Sequence, residues 1–162
     1  MARRNDEHKT PMSHALEIIR LHAGRAFRAT TDCALAIGNF DGLHLGHRAV
    51  IGAMRAHAKQ HGLTPAVLSF SPHPRLYFKP TTPAFLLMRP HDRFVQLQEM
   101  GVKRLYLATF NQVLATTSAE DFCESMLRDM CRAKAVFVGE NFVFGAKRGG
   151  DVASLKAWGG AN

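Results

Sequence analysis

The chain is 162 residues long, which fits one domain. Its composition, 46% hydrophobic and 21% charged, is ordinary for a globular protein and excludes wholesale disorder. No apolar run approaches the roughly 18 residues of a membrane-spanning helix, and the charged start (Arg3, Arg4, Asp6, Glu7) has no apolar stretch behind it, so neither a spanning segment nor a secretory signal is expected. Lys and Arg total 21 against 13 Asp and Glu, a formal net charge of +8 that favours anionic partners without choosing among nucleotides, nucleic acid and acidic membranes.

The three cysteines, Cys33, Cys123 and Cys131, are odd in number and none stands at C-x-x-C spacing. This argues against a disulfide framework or structural zinc, and for reduced core residues in a cytoplasmic protein.

Residues 1–16 read as a flexible tail ahead of a domain spanning 17–162. Between Met12 and Arg28 two alternatives stay open: a helix capped by Ser13, or a short strand over Glu17–Leu21. From Cys33 the pattern is regular. Cys33–Ile37 is a buried strand ending at Gly38. A helix follows over Gly46–Gln60, with Val50, Ile51, Met54 and Ala58 on one face and Gly62 as its stop. Pro65–Phe70 is a second strand, followed by a proline-rich loop from Ser71 to Pro83. Asp92–Met100 is a helix stopped by Gly101, and Val102–Ala108 a third strand. Ser118 opens another helix, with Asp121 at the reciprocal capping position and Phe122, Met126 and Met130 as its apolar stripe. Ala135–Val138 is a fourth strand ending at Gly139, and Asp151 caps a last helix carrying Val152, Leu155 and Trp158. Strands alternating with helices imply an α/β fold, a parallel sheet covered on both faces, with ligands bound beyond the carboxyl ends of the strands.

The segments directly after strands are therefore the ones to read for chemistry. After the first strand comes Gly38-Asn39-Phe40-Asp41-Gly42-Leu43-His44-Leu45-Gly46-His47. Glycines in a tight turn opening into a helix let backbone N–H groups and the helix dipole meet an anion, which is phosphate-binding logic. Neither G-x-G-x-x-G nor a Walker loop is present. His44 and His47 stand three positions apart and can share a face. They can bond nucleotide phosphates, ligate zinc (though no third ligand is evident nearby), or simply face water.

The run Gly38–His47 resembles the G-N-F-D-G-x-H-x-G-H signature of the bacterial FAD synthetases, which are bifunctional riboflavin kinase/FMN adenylyltransferases. Its His44-x-Gly46-His47 part is shared with the wider H-x-G-H nucleotidyltransferases. Ser69-Phe70-Ser71-Pro72-His73-Pro74-Arg75 is similar to the family's F-x-P-H-P segment, and Gly139-Glu140-Asn141-Phe142-Val143-Phe144-Gly145 to its G-x-[DN]-F-x-F-G segment.

The resemblance implies a Rossmann-like, doubly wound sheet of the H-x-G-H nucleotidyltransferase type. It implies transfer of AMP from ATP to FMN, giving FAD and pyrophosphate, with Mg²⁺ as cofactor. His44, His47 and Asn141 would be catalytic, with Asn141 also the candidate Mg²⁺ ligand. Gly38, Asn39, Phe40, Asp41, Gly42 and Gly46 would form the nucleotide pocket, though Asp41 can equally orient a histidine or cap the turn. Pro72, His73, Pro74, Arg75, Phe142 and Phe144 would meet flavin and phosphate, with the two phenylalanines open to a core reading. Lys147 and Arg148 make a cationic loop suited to pyrophosphate.

No segment like the family's S-S-T-x-[IV]-R, and no riboflavin kinase module, follows in this sequence, so an incomplete, weakly active adenylyltransferase domain is expected. ATP and FMN are the expected partners, with neither nucleic acid nor membrane. The alternatives are another H-x-G-H enzyme, such as a cytidylyltransferase, and a basic nucleic-acid-binding module. The scattered basic residues lack the interleaved aromatics that a nucleic-acid module needs.

Overall fold

The computed structural model describes residues 15–161; of the tail expected over 1–16, residues 1–14 lie outside the described residues. Five strands, β1 (Glu17–Leu21), β2 (Cys33–Ile37), β3 (Thr64–Ser71), β4 (Arg104–Thr109) and β5 (Ala133–Phe137), form one sheet in the order β1-β4-β3-β2-β5. Every neighbouring pair is parallel. The strand alternative for the ambiguous first segment is the one adopted: β1 sits on the sheet edge beside β4, where the Glu17 carboxylate accepts Arg104 Nε–H at 2.6 Å.

The central strand β2 is buried along its whole length, as a strand covered on both faces must be. Its alternating side chains feed two apolar layers. Ala34 and Ala36 face Ile51, Met54 and Ala58 of helix α1 (Leu45–His61) and Leu97 of a later helix. Cys33, Leu35 and Ile37 face Phe122, Met126, Leu127 and Leu155. All three cysteines are free and buried, and burial pushes the Cys33 thiol up to about 12 and Cys123 to about 11. They act as small core residues, as their number and spacing led one to expect.

From β2 the chain steps outward through α1 to β3, and through α2 (Pro74–Phe78) and α3 (Pro90–Glu99) to β4. It then returns past β2 through α4 (Gln112–Thr116) and α5 (Ala119–Asp121) to β5. The strand order thus reverses at β2, and the crevice between the loops leaving β2 and β5 is the topological switch point of the sheet.

The structure adds elements that periodicity does not reveal. The proline-rich stretch from Ser71 is not all loop: Pro74 starts α2 with its preset φ at the first helical position. The helix opened by Ser118 has its expected cap, with Ser118 Oγ accepting Asp121 N–H at 3.0 Å, but from Phe122 to Met130 it is π-wound, and Cys131 N–H reaches the Met126 carbonyl at 3.0 Å. Beyond β5 a small antiparallel pair, β6 (Val143–Phe144) and β7 (Gly150–Asp151), precedes α6 (Val152–Ala161). The Asp151 carboxylate caps α6 by accepting Ser154 N–H at 2.8 Å.

Candidate active site

The loop leaving β2 is anchored from beneath and crossed from above. Gly38 N–H donates to the Leu68 carbonyl at 3.1 Å. Phe40 and Leu43 adopt positive φ of 50° and 41°, and their side chains are buried. Left-handed backbone at two large apolar residues persists only where packing holds it. Phe40 therefore lies under the expected nucleotide pocket, its ring edge-on to His47 with centroids 5.3 Å apart. Gly42 has φ 75°, a left-handed conformation that favours glycine, and a Cβ there would press on the tip of the Leu87 side chain, Cδ1 at 2.9 Å.

His44 caps α1, its Nδ1 accepting His47 N–H at 3.4 Å, and the two imidazoles stack with centroids 3.6 Å apart. Gly46 leaves room for this ring: a Cβ there would stand 3.1 Å from it. Burial and the neighbouring His44 hold the His47 pKa below its usual value, with Asp41 opposing them.

From α3, Arg93 Nη1–H donates to the Asn39 carbonyl at 2.9 Å, and Ser69 Oγ donates to the same oxygen at 3.4 Å. Asn39 Oδ1, His47 Nδ1 and Arg93 Nε are buried without a hydrogen-bond partner. Each such atom costs about 1–3 kcal/mol when unsatisfied. A ligand offering anionic oxygens together with a hydroxyl or amino donor, as a nucleotide does, would satisfy all three.

Asp41 behaves differently from either sequence alternative. Its carboxylate accepts Leu87 N–H at 2.8 Å and Met88 N–H at 3.0 Å, so it ties down the crossing chain. The segment after β3 stands next to this loop. His73 caps α2, its Nδ1 accepting Arg75 N–H at 3.1 Å. Burial lowers the His73 pKa, Asp41 opposes it, and the Arg75 and Arg93 charges add to the lowering. Pro72 is exposed, while Pro74 and Arg75 line a second space.

That space is a cavity of about 1030 Å³ walled by Phe70, Phe78, Phe110, Phe122, Phe142 and Phe144, with Arg75, Lys147 and Arg148 among its other lining residues. Its size is at the upper end of small-molecule pockets, roughly 300–1,000 Å³. Phe142 and Phe144 stack with centroids 5.4 Å apart, and Phe144 leans on Phe122 at 5.5 Å. Phe144 is buried and Phe142 half-buried, so the pair is both core and cavity wall. Asn141 is exposed on the turn closed by Phe142 N–H to the Gly139 carbonyl at 3.1 Å.

The structure thus brings Asn39, His44, His47 and His73 to one crevice, and Pro74, Arg75, Phe142 and Phe144 to the adjoining aromatic cavity. Several contributors are not legible as site residues in the sequence. Phe110 stands directly after β4, and its post-strand position is a usable signal. Phe122 reads only as helix stripe. Arg93 has no local signal, because its partner Asn39 is 54 positions away.

A doubly wound parallel sheet with polar groups gathered beyond the carboxyl end of its central strand, beside an aromatic cavity, is the Rossmann-like architecture of nucleotidyltransferases. The chain belongs to the FAD synthetase family, whose family model matches residues 26–161. It is 38% identical over 143 residues to a bifunctional riboflavin kinase/FMN adenylyltransferase of Haemophilus influenzae, covering 88% of this chain and 46% of that protein. The proteins of the same name from Pseudomonas fluorescens and Bacillus subtilis are 37% and 36% identical, over 74% and 68% of this chain and 38% and 35% of theirs. The chain thus spans less than half the length of these relatives. A crystal structure of a macrolide-efflux protein from Streptococcus pneumoniae shares the fold with a TM-score of 0.75 at 23% identity, over 88% of this chain and 47% of that one. Among the described residues no helix is long and apolar enough to cross a membrane.

Proposed function

We propose that this chain transfers AMP from ATP to FMN, releasing FAD and pyrophosphate. The observation that carries the reading is the pairing of the unsatisfied polar crevice with the aromatic cavity across His73, Pro74 and Arg75. ATP phosphates lie against His44, His47 and the amino end of α1, and the nucleoside meets Asn39. The isoalloxazine ring enters the aromatic cavity, and the FMN phosphate emerges near Arg75, Lys147 and Arg148. An FMN phosphate oxygen forms a bond to the α-phosphorus. The bond from that phosphorus to the bridging oxygen breaks, and its electron pair leaves with pyrophosphate. Both reactants carry their own reacting groups, so positioning and charge stabilisation supply the catalysis.

The donor set fits Mg²⁺ as an ion held mainly by ATP phosphates: among the described residues no group of three or more His, Cys, Asp or Glu gathers to hold a metal, and Asn141 offers one exposed amide oxygen. When bound, Mg²⁺ would spread the negative charge of the phosphates. A cytoplasmic location belongs to this reading, and the free buried thiols suit such a reducing compartment. ATP and FMN are its partners, and neither nucleic acid nor membrane is needed.

The rival within the fold is a cytidylyltransferase acting on a phospho-alcohol. The aromatic cavity favours flavin, since a phospho-alcohol gives such walls nothing to stack on. The test is incubation of the chain with FMN, Mg²⁺ and either ATP or CTP, with FAD separated by chromatography. FAD formed with ATP alone is expected. CMP transfer to a phospho-alcohol, with no FAD from ATP, would refute the assignment.

A pH dependence follows from His47. Its lowered pKa keeps the free imidazole neutral at neutral pH. Polyphosphate charge beside it raises that pKa, so binding takes up a proton, and affinity for Mg²⁺–ATP should rise as pH falls from about 8 to about 6. Calorimetry in buffers of different ionisation heat reads the proton uptake directly. A binding enthalpy that ignores the buffer would remove His47 from the phosphate site.

A further inference from the structure

The chain crossing above Gly42 belongs to a segment, residues 79–89, that joins α2 to α3 and has no role in the reading above. Pro80 and Pro83 stiffen it, and Pro90 fixes its exit into α3. It opens with a turn, Thr82 N–H donating to the Lys79 carbonyl at 3.0 Å. Beyond that turn it is held at two places. One is the Asp41 carboxylate, which takes the N–H groups of Leu87 and Met88. The other is Phe85. The His73 ring stands edge-on to the Phe85 ring, with centroids 5.0 Å apart at 84°, and the Arg75 guanidinium carbon lies 4.9 Å from the same ring centre. Arg75 is otherwise exposed, and no ion pair involving it is found among the described residues.

We propose that Phe85 is a positioning residue. Its ring fixes His73 and Arg75 between the crevice and the aromatic cavity, and Asp41 holds Phe85 there through the stiff strap 79–89. This rests on the FMN adenylyltransferase reading for what the two side chains meet, but the mechanical coupling stands without it. A ring quadrupole attracts a guanidinium that an aliphatic side chain of similar bulk does not, so the device depends on aromaticity and not merely on filled space. Leu86 and Leu87 remain exposed, while Met88, whose N–H the Asp41 carboxylate takes, packs against the core beside α1 and adds to these two anchors.

The test uses the whole chain and two kinds of readout. In FMN fluorescence titration and steady-state FAD formation, Phe85→Leu raises the Kd and KM for FMN by about 3–10-fold, the range of a lost cation–π contact. The KM for ATP is unchanged, and Phe85→Trp restores the parent values. Equal FMN constants for the Leu and Trp variants, or an equal rise in the ATP constant, overturns the proposal.

The second readout needs no catalysis. The His73 ring protons carry the ring-current shift of an edge-on neighbour in an NMR spectrum taken well above the histidine range of pH. Phe85→Leu abolishes that shift. Asp41→Ala, which frees the strap without touching Phe85, abolishes it too. Asp41→Asn keeps an acceptor oxygen without the charge and retains it. A His73 shift indifferent to Asp41→Ala overturns the coupling. Failure of the parent chain to bind FMN or form FAD, with the NMR series as described, instead refutes the reaction and leaves the strap standing.

Discussion

Replacing His47 with alanine is expected to lower FAD formation by about 10²–10³-fold, the usual cost of removing one preorganised donor from a developing phosphate or oxyanion charge. Thermal stability should change little. The His47 Nδ1 is buried without a partner and bears its desolvation, which offsets the stack on His44 and the edge contact with Phe40 that truncation removes. Truncation removes that penalty and leaves space open to the crevice. His44→Ala behaves in the opposite way. It loses an N-cap that receives the backbone of α1, worth about 1 kcal/mol, and with it the stacking partner of His47. Steady-state kinetics with a melting curve for each variant separate the two. A His47→Ala protein that loses several degrees in Tm along with its activity would make the residue structural and sink the phosphate assignment.

The strands β2 to β5 were legible because each carries a short apolar run, and such runs are local, whereas β1, with Glu17 and Arg20 among its five residues, read equally as helix or strand. Cys33–Ile37 announces burial on both faces by lacking any polar residue. Strand order was not legible: nothing in the run Ala133–Phe137 says that it pairs with β2 and not with its predecessor β4. The rule that ligands sit at strand ends, together with the motif resemblance of the post-strand segments, made the candidate site readable before the order was known. The turn of helix before Phe78 stayed hidden because two prolines around His73 read as loop, whereas the second of them starts a helix.

The candidate site was legible where its residues are contiguous and obscure where they are pairs brought together by folding. Asn39, His44, His47 and His73 stand where the sequence suggests. Phe40 belongs to the same contiguous run but turns inward, because a positive φ reverses the alternation that a strand would give it. Asp41 reads as a ligand-facing carboxylate until the backbone of Leu87 and Met88 arrives to occupy it. Arg93 contributes through a carbonyl, a contact that carries no side-chain signature in either partner.

The other large effect concerns the wall of the aromatic cavity. Gly145→Ala is expected to destabilise the protein by about 3 kcal/mol and to weaken FMN binding by more than about tenfold, while binding of Mg²⁺–ATP at the β2–α1 loop stays near its parent value. Gly145 has φ 75°, which alone disfavours alanine, and an added Cβ would lie 2.6 Å from Ala119 N and 2.7 Å from its Cα. Backbone atoms cannot rotate away as a side chain can. The neighbouring bond, Ala146 N–H to the Thr117 carbonyl at 2.7 Å, holds the two segments at that spacing, so the methyl group must break it to fit. Separation there tilts Phe144, which leans on Phe122 and stacks on Phe142, and so opens the cavity on the side that Lys147 and Arg148 rim. At about 2–4 °C per kcal/mol for a domain of this size, Tm should fall by roughly 6–12 °C. Gly139→Ala is the matched control: a Cβ there meets nothing within 4 Å, and its φ is not in the positive range, so it should melt with the parent. A Gly145→Ala protein that melts like the Gly139→Ala control would mean that the 145–146 segment can move off α5 without cost, and that the cavity wall is not fixed by this contact.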